Sequence, residues 1–257
     1  HHTVIMVQVE NEIGMLPCAR DHHPAANKKF LEDVPSEFIG FLLENRKELV
    51  PEFHEVWAEN GFQTKGSWED IFGEGSHTEE IFMAWYYSRF VEEIVIAGKS
   101  VYPLPMYVNA ALIRPGRKPG TGYPSAGPFP HLMDIWKAGA PSIDFLSPDL
   151  YFPEFRKWCD LYVRQENPLF IPEHRFDNTV AAKALYTIGH YEGIGFSPFS
   201  IESTGNPENE PLGKVYDLIG QLSPMIAMSR GQNKIEAVFF DKENQESVFR
   251  LGDYEFT

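Results

Sequence analysis

Residues 3–14 read TVIMVQVENEIG, and this stretch decides how the fold is interpreted. Residues 3–9 form an apolar run rich in β-branched side chains, which is typical of a strand buried in a parallel sheet. Amides and carboxylates follow it, whereas a doubly wound nucleotide-binding fold needs a glycine-rich turn after its first strand. Acidic side chains at the carboxyl end of a strand favour a TIM (β/α)8 barrel, because the active site of that fold lies there.

Strand-like and helix-like segments alternate along the rest of the chain. Apolar runs predict four further strands, at residues 101–112, 143–151, 169–172 and 193–201. Helical patterns accompany them at residues 35–48, 79–98, 131–138, 154–165, 179–191 and 212–228. Repeated alternation of this kind predicts an α/β fold, with a parallel sheet and crossover helices.

Five strand–helix repeats are too few to close an eight-stranded barrel. We therefore expect residues 1–232 to hold barrel strands four to eight, with strands one to three supplied by another segment or chain. Residues 235–240 and 247–251 alternate like antiparallel strands, so residues 233–257 are predicted to begin a β-rich domain. Residues 114–130 are rich in Gly and Pro and are predicted to form a long exposed loop.

The composition restricts the class of partner. The 257 residues carry a net charge of −15, which repels nucleic acid but not a neutral sugar. No apolar run is long enough to span a bilayer. Neither the two cysteines nor the pair His22–His23 has metal-ligand spacing, so we expect no metal and no cofactor. The sequence does not determine the cellular location of the protein, and a secreted or periplasmic location fits it.

The first candidate catalytic cluster is Gln8, Glu10, Asn11 and Glu12. Alternate residues of a strand share a face, so Gln8, Glu10 and Glu12 would lie on one side unless the backbone breaks at the strand end. An amide there can bind a substrate hydroxyl, and a carboxylic acid can protonate a leaving oxygen. The alternative interpretation is a polar exit from the strand.

The second candidate cluster follows the apolar run LFIP, where Glu173 precedes His174 and Arg175. Arg175 is expected to keep the carboxylate ionised, as a nucleophile requires. The alternative is a solvated strand end. Taken together, two carboxylates at strand ends are the groups that hydrolyse a glycosidic bond, provided that one is protonated and the other ionised.

The string VQVENEIG, residues 7–14, resembles the QVENEYG motif of glycoside hydrolase family 35 β-galactosidases. These enzymes belong to a clan of retaining (β/α)8 glycosidases with an acid/base Glu on strand four and a nucleophile Glu on strand seven. The string LFIPEHRF departs from the family, because His174-Arg175-Phe176 replaces the usual aromatic-rich sequence. The chain is therefore more similar to a divergent bacterial branch.

The resemblance implies a role for each matched residue. Glu12 corresponds to the acid/base and Glu173 to the nucleophile, while Glu10 and Asn11 correspond to sugar-binding residues, Asn11 at the 2-hydroxyl. Asn109 and Tyr151, at the ends of later strands, are candidate substrate-binding residues, or else a capping amide and a half-buried tyrosine.

The predicted function is that of a retaining exo-β-glycosidase, first of all a β-galactosidase, acting on a β-galactoside or oligosaccharide. The alternatives are a β-glucosidase, an endo-β-glycanase and a non-catalytic carbohydrate-binding barrel. The sequence leaves open whether the protein forms a homo-oligomer. Trp57 or Trp68, in the insertion after the first strand, is a candidate for stacking on a sugar ring.

Overall fold

The computed structural model describes residues 3–114, 116–240 and 245–257. The chain divides into two compact units, the first ending at Pro148 and the second beginning at Asp149. Strand β3 (Phe145–Leu150) crosses this boundary, so each unit holds part of it.

In the first unit, strand β1 (Val7–Gln8) pairs in parallel with β2 (Met106–Ala110), and β2 pairs in parallel with the start of β3. The strand predicted at residues 3–9 is thus formed, but it is shorter. Its expected burial is wrong for Val4 and Ile5, which are 58% and 68% exposed. Both precede the ladder, where no strand pairs with them in the described residues, so their side chains are not packed.

The described residues of the first unit form the α-helices α1 (Pro24–Phe30), α2 (Ser36–Glu44), α3 (Pro51–Glu59), α4 (Trp68–Phe72), α5 (Ser76–Val101) and α6 (Met133–Gly139). Their aromatic side chains form a core around Phe38, whose ring centroid lies 4.8 Å from that of Trp85. Trp68 belongs to this core, Trp57 packs edge-on against Phe62, and both tryptophans are fully buried. The prediction that one of them stacks on a sugar is therefore wrong, because helix packing has covered both rings.

The loop at residues 114–130 was expected to be exposed, and this is wrong for its second half, since residues 125–130 are buried. Glu80 of α5 accepts a hydrogen bond from the Ala126 amide (3.2 Å). Met15 and Ser125 exchange two backbone hydrogen bonds of 2.9 Å, which pack the loop on the segment after Glu12. A loop can be buried where its backbone groups find partners of this kind. Pro115 lies outside the described residues.

In the second unit, the end of β3 pairs in parallel with β4 (Phe170–His174), and β4 pairs in parallel with β5 (Gly195–Pro198). The helices are α7 (Phe155–Tyr162), α8 (Val180–Gly189) and α9 (Pro211–Ser229). Strands β6 (Phe249–Leu251) and β7 (Tyr254–Phe256) form an antiparallel hairpin.

The strand predicted at residues 235–240 is not formed. That segment packs against α7 and the end of α8. The Glu236 carboxylate lies 2.7 Å from the His190 ring, and Arg156 donates to the Phe239 carbonyl. Residues 235–239 are all half-buried, so the alternation of their sequence is not accompanied by an alternation of burial.

The parallel strands, each followed by helices, make a mixed α/β fold that is compatible with part of a (β/α)8 barrel. The numbering of these strands as four to eight, and a separate β domain after residue 232, stay predictions. None of the helices in the described ranges combines the length and hydropathy needed to cross a membrane.

Candidate active site

The backbone that carries Glu12 leaves the strand abruptly. Glu10 has a φ of 60° and Glu12 a φ of 48°, so both adopt the left-handed conformation. The alternation that would place Gln8, Glu10 and Glu12 on one face therefore ends at this point. Such a conformation is uncommon for residues other than glycine and costs on the order of 1–3 kcal/mol each, so the surrounding structure must hold it.

A buried amide on β2 holds this turn. Asn109 is fully buried, and its Oδ1 accepts a hydrogen bond from the Glu12 backbone amide (3.0 Å). Its Nδ2 donates to Asn11 Oδ1 (3.2 Å). Gln8 Nε2 also donates to Asn11 Oδ1 (3.0 Å), and the Tyr107 hydroxyl donates to Gln8 Oε1 (3.0 Å). The network fixes the main chain at Glu12 relative to the neighbouring strand.

These contacts divide the predicted residues of the first unit by role. Glu10 and Asn11 are exposed and Glu12 is half-buried, so all three are accessible to a ligand. Asn109 is not accessible, and it acts through Asn11 and Glu12. In this arrangement Asn109 positions Asn11 and Glu12. This matches the capping-amide interpretation better than the substrate-binding one.

Glu173 lies near the end of β4, where the strand is irregular. Between Ile171 and His174 the register of β4 against β5 shifts by one residue. Pro172 lies in this stretch and lacks the N–H that a regular ladder requires. Bulges of this kind redirect side chains and are frequent next to active sites.

A tyrosine orients the Glu173 carboxylate. The Tyr151 hydroxyl donates to Glu173 Oε2 over 2.6 Å, a short bond typical of a charge-assisted donor–carboxylate pair. The Arg175 guanidinium donates to the Tyr151 carbonyl (3.0 Å), and the Arg175 amide donates to the Leu150 carbonyl (3.2 Å). Arg175 thus contacts Tyr151, the residue that binds Glu173, and its expected effect on the ionisation of Glu173 stays a prediction.

His174 and Lys183 form a buried basic pair that was not predicted from the sequence. His174 is 1% exposed, its Nε2 lies 3.2 Å from Lys183 Nζ, and its Nδ1 lies 2.6 Å from the Arg175 carbonyl. Burial, together with the ammonium of Lys183, lowers the pKa of His174 to about 4. A neutral ring at this place accepts from Lys183 and donates from Nδ1 to Arg175, which fixes the backbone beside Glu173.

The sequence held one signal for this pair. Lys183 falls on the same face of α8 as the buried residues Val180, Ala184 and Thr187. A lysine at such a position is rarely buried without a partner. The ring of Phe155, whose centroid lies 5.2 Å from Lys183 Nζ, adds a cation–π contact.

Within the described residues, no three His, Cys, Asp or Glu side chains gather closely enough to hold a metal ion. Both cysteines are free thiols, and burial raises the pKa of Cys159. The first unit offers the accessible carboxylates of Glu10 and Glu12 and the Asn11 amide, and the second offers the Glu173 carboxylate oriented by the Tyr151 hydroxyl. Such groups suit acid–base and nucleophilic chemistry on a neutral, hydroxyl-rich ligand.

One family model matches the chain. It is described as a domain of unknown function (DUF5597) and covers residues 212–257. The match takes in α9 and the terminal hairpin and reaches neither Glu12 nor Glu173. No curated protein matches the chain.

Proposed function

We propose that the chain is the C-terminal part of the catalytic barrel of a retaining exo-β-glycosidase, first of all a β-galactosidase. One observation carries the proposal. Glu12 and Glu173 both stand at carboxyl ends of parallel strands, and each is held by a residue at the end of another strand, Asn109 for one and Tyr151 for the other. This is where an α/β barrel places its catalytic groups.

Glu173 is the proposed nucleophile. Its carboxylate attacks the anomeric carbon, a carbon–oxygen bond to the sugar forms, and the bond to the leaving oxygen breaks. The hydrogen bond from Tyr151 holds Oε2, which fixes the direction in which the carboxylate presents its lone pairs. The network of His174 and Lys183 keeps the main chain beside it in place.

Glu12 is the proposed acid/base. It gives its proton to the leaving oxygen in the first step and takes a proton from water in the second, so the sugar is released with its configuration retained. The mechanism requires the carboxyl groups of Glu12 and Glu173 to be about 5–5.5 Å apart in the assembled enzyme.

Glu10 and Asn11 are the proposed sugar-binding residues beside Glu12. Asn11 Oδ1 already accepts from Gln8 and Asn109. Its Nδ2 is therefore the atom that we assign to the sugar 2-hydroxyl. The exposed Glu10 carboxylate accepts hydrogen bonds from further hydroxyl groups.

The proposal also requires strands one to three, from a further segment or a second chain. The assay therefore uses the natural protein expressed from its complete reading frame. We expect it to hydrolyse aryl β-galactosides faster than aryl β-glucosides, and to release terminal sugars from oligosaccharides. Preference for β-glucosides, or cleavage inside a glycan, would select another member of the clan.

Two variants connect this activity to the site. Without an added nucleophile, Glu173→Ala should abolish turnover on every substrate, because the proposed nucleophile is needed in both steps. Glu154→Ala is the control, since this exposed glutamate of the same unit touches only Lys157 among the ion pairs of the described residues. Sugar binding without hydrolysis by the natural protein would overturn the proposal in favour of a non-catalytic binding barrel.

A further inference from the structure

A cavity of about 280 Å³ opens in the second unit, between the loop after β4 and the beginnings of α8 and α9. Its lining includes Phe176, Asp177 and Asn178 from the loop, Ala181 from α8 and Glu210 next to α9. The loop residues come directly after the strand that bears Glu173. None of the roles assigned above uses this cavity.

The polar groups of the cavity are held in fixed positions. The Asp177 carboxylate accepts hydrogen bonds from the backbone amide (2.8 Å) and the hydroxyl of Thr179. The Glu210 carboxylate accepts from the Thr204 hydroxyl (2.8 Å) and the Leu212 amide (3.2 Å). A carboxylate has about four acceptor positions, so each keeps capacity for a ligand.

The lining defines the class of ligand. Among the described residues that line the cavity, none is lysine or arginine, so an anion would meet two carboxylates without a compensating charge. Asp177 and Glu210 accept from hydroxyl groups, the exposed Asn178 amide both donates and accepts, and the Phe176 ring offers an apolar surface. A sugar ring, with hydroxyl edges and C–H faces, satisfies all of these groups.

Size and charge narrow the choice further. Pockets for drug-sized ligands measure roughly 300–1,000 Å³, so a cavity just below that range suits one monosaccharide unit. An organic ammonium would also be drawn to carboxylates. Both carboxylates, however, already accept two hydrogen bonds from neutral groups of the protein, which stabilise their charges without a bound cation. The lining therefore favours a neutral ligand.

We propose that this cavity binds the sugar unit adjacent to the one attacked by Glu173, which in an exo-acting enzyme is the unit on the leaving-group side. The inference rests on the proposed function. The attacked sugar must lie against the Glu173 carboxylate itself, while the cavity is built from the residues that follow the strand.

The test fills the cavity and compares two neighbouring alanines of one helix. Ala181→Trp places a large side chain in the cavity, whereas the matched control Ala182→Trp places it on the exposed side of α8. For Ala181→Trp, kcat/KM should fall at least tenfold more for a β-linked disaccharide than for an aryl β-galactoside. Asn178→Ala, which leaves the helix intact, should shift the same ratio by about threefold. Ala182→Trp should leave this ratio unchanged.

Calorimetric titration with methyl β-galactoside and methyl β-glucoside gives a readout that does not need catalysis. Ala181→Trp should lose one binding event per chain relative to the natural protein and to Ala182→Trp. If no glycoside is hydrolysed but this event is still lost, the proposed function fails and sugar binding in the cavity stands. Unchanged binding and an unchanged substrate ratio in Ala181→Trp, or binding of ethylammonium in place of the sugars, would overturn the inference.

Discussion

The two carboxylates are held in different ways. Glu12 stands on a turn with two left-handed residues, and a buried amide fixes its main chain while its side chain is half-buried. Glu173 stands on a bulged strand, and a hydroxyl fixes its carboxylate directly. The first arrangement fixes the position of the Glu12 backbone, and the second fixes the direction of the Glu173 carboxylate. Substitutions that disrupt the two arrangements should therefore affect different steps of the proposed mechanism.

The largest effect is expected for Asn109→Ala. The Glu12 amide and Asn11 Oδ1 would lose their buried partner, at a cost of about 1–3 kcal/mol, and the strained turn would relax. The activity should fall about 100-fold for poor leaving groups, which need protonation, and much less for a dinitrophenyl group. A plot of log kcat/KM against the leaving-group pKa measures this difference as a steeper slope.

Asn167→Ala serves as the control for Asn109→Ala. Its side-chain amide is also buried, but it donates to the Tyr162 carbonyl, away from both candidate clusters. It should cost stability without changing the leaving-group slope. An equal loss of activity on all leaving groups in Asn109→Ala would mean that the amide network does not act through an acid/base.

A smaller effect is expected for Tyr151→Phe, which removes one hydrogen bond to Glu173. The activity should fall about tenfold, since a bond to a charged group contributes about 1.5–3 kcal/mol and part of it is regained from water. The loss should be the same for good and poor leaving groups, because the nucleophile is oriented in every case. Tyr191→Phe, which loses a 2.7 Å bond to Asp160 in the same unit, is the matched control and should keep full activity.

The smallest effect concerns the pair of His174 and Lys183, which has no counterpart beside Glu12 in the described residues. The pKa of His174 is about 4 in the folded protein, below its ordinary value of 6.5. Between these values the unfolded chain binds a proton that the folded chain does not, so the free energy of unfolding falls as the pH drops from 6.5 to 4. Above pH 6.5 this contribution is constant.

Lys183→Met should weaken that dependence on pH. Without the ammonium, the pKa of His174 moves up toward its ordinary value, and the decrease in unfolding free energy between pH 6.5 and 4 becomes smaller by about 1 kcal/mol or less. Urea unfolding across this range measures it. Lys157→Met, at an exposed position on α7, is the control. An unchanged slope in Lys183→Met would show that the lysine does not act on His174.

The sequence predicted those structural features that depend on local patterns of residues. Apolar runs located β2 and β3, and the change from apolar to acidic residues located the strand ends at which Glu12 and Glu173 lie. The left-handed backbone at Glu10 and Glu12 could not be predicted, because glycine is the residue that signals such a conformation. The burial of Trp57 was missed as well, since it results from packing between helices distant in sequence.

The same limit explains the missed contacts of the second unit. His174 and Lys183 lie on a strand and a helix, so no local period links them. Arg175 was expected to act on Glu173, two residues before it in the sequence. The bulge between Ile171 and His174 interrupts the regular alternation of β4, and the Arg175 guanidinium donates to the Tyr151 carbonyl.

The most direct test of the paired roles is the configuration of the azide product formed by two variants. With a dinitrophenyl β-galactoside and added azide, Glu12→Ala should still form the glycosyl-enzyme, and azide should then release the β-azide without help from a base. Glu173→Ala should admit azide from the opposite face and give the α-azide. Proton NMR of the anomeric centre distinguishes the two products. The α-azide from Glu12→Ala, or full unassisted activity in both variants, would contradict the assignment of Glu12 as acid/base and Glu173 as nucleophile.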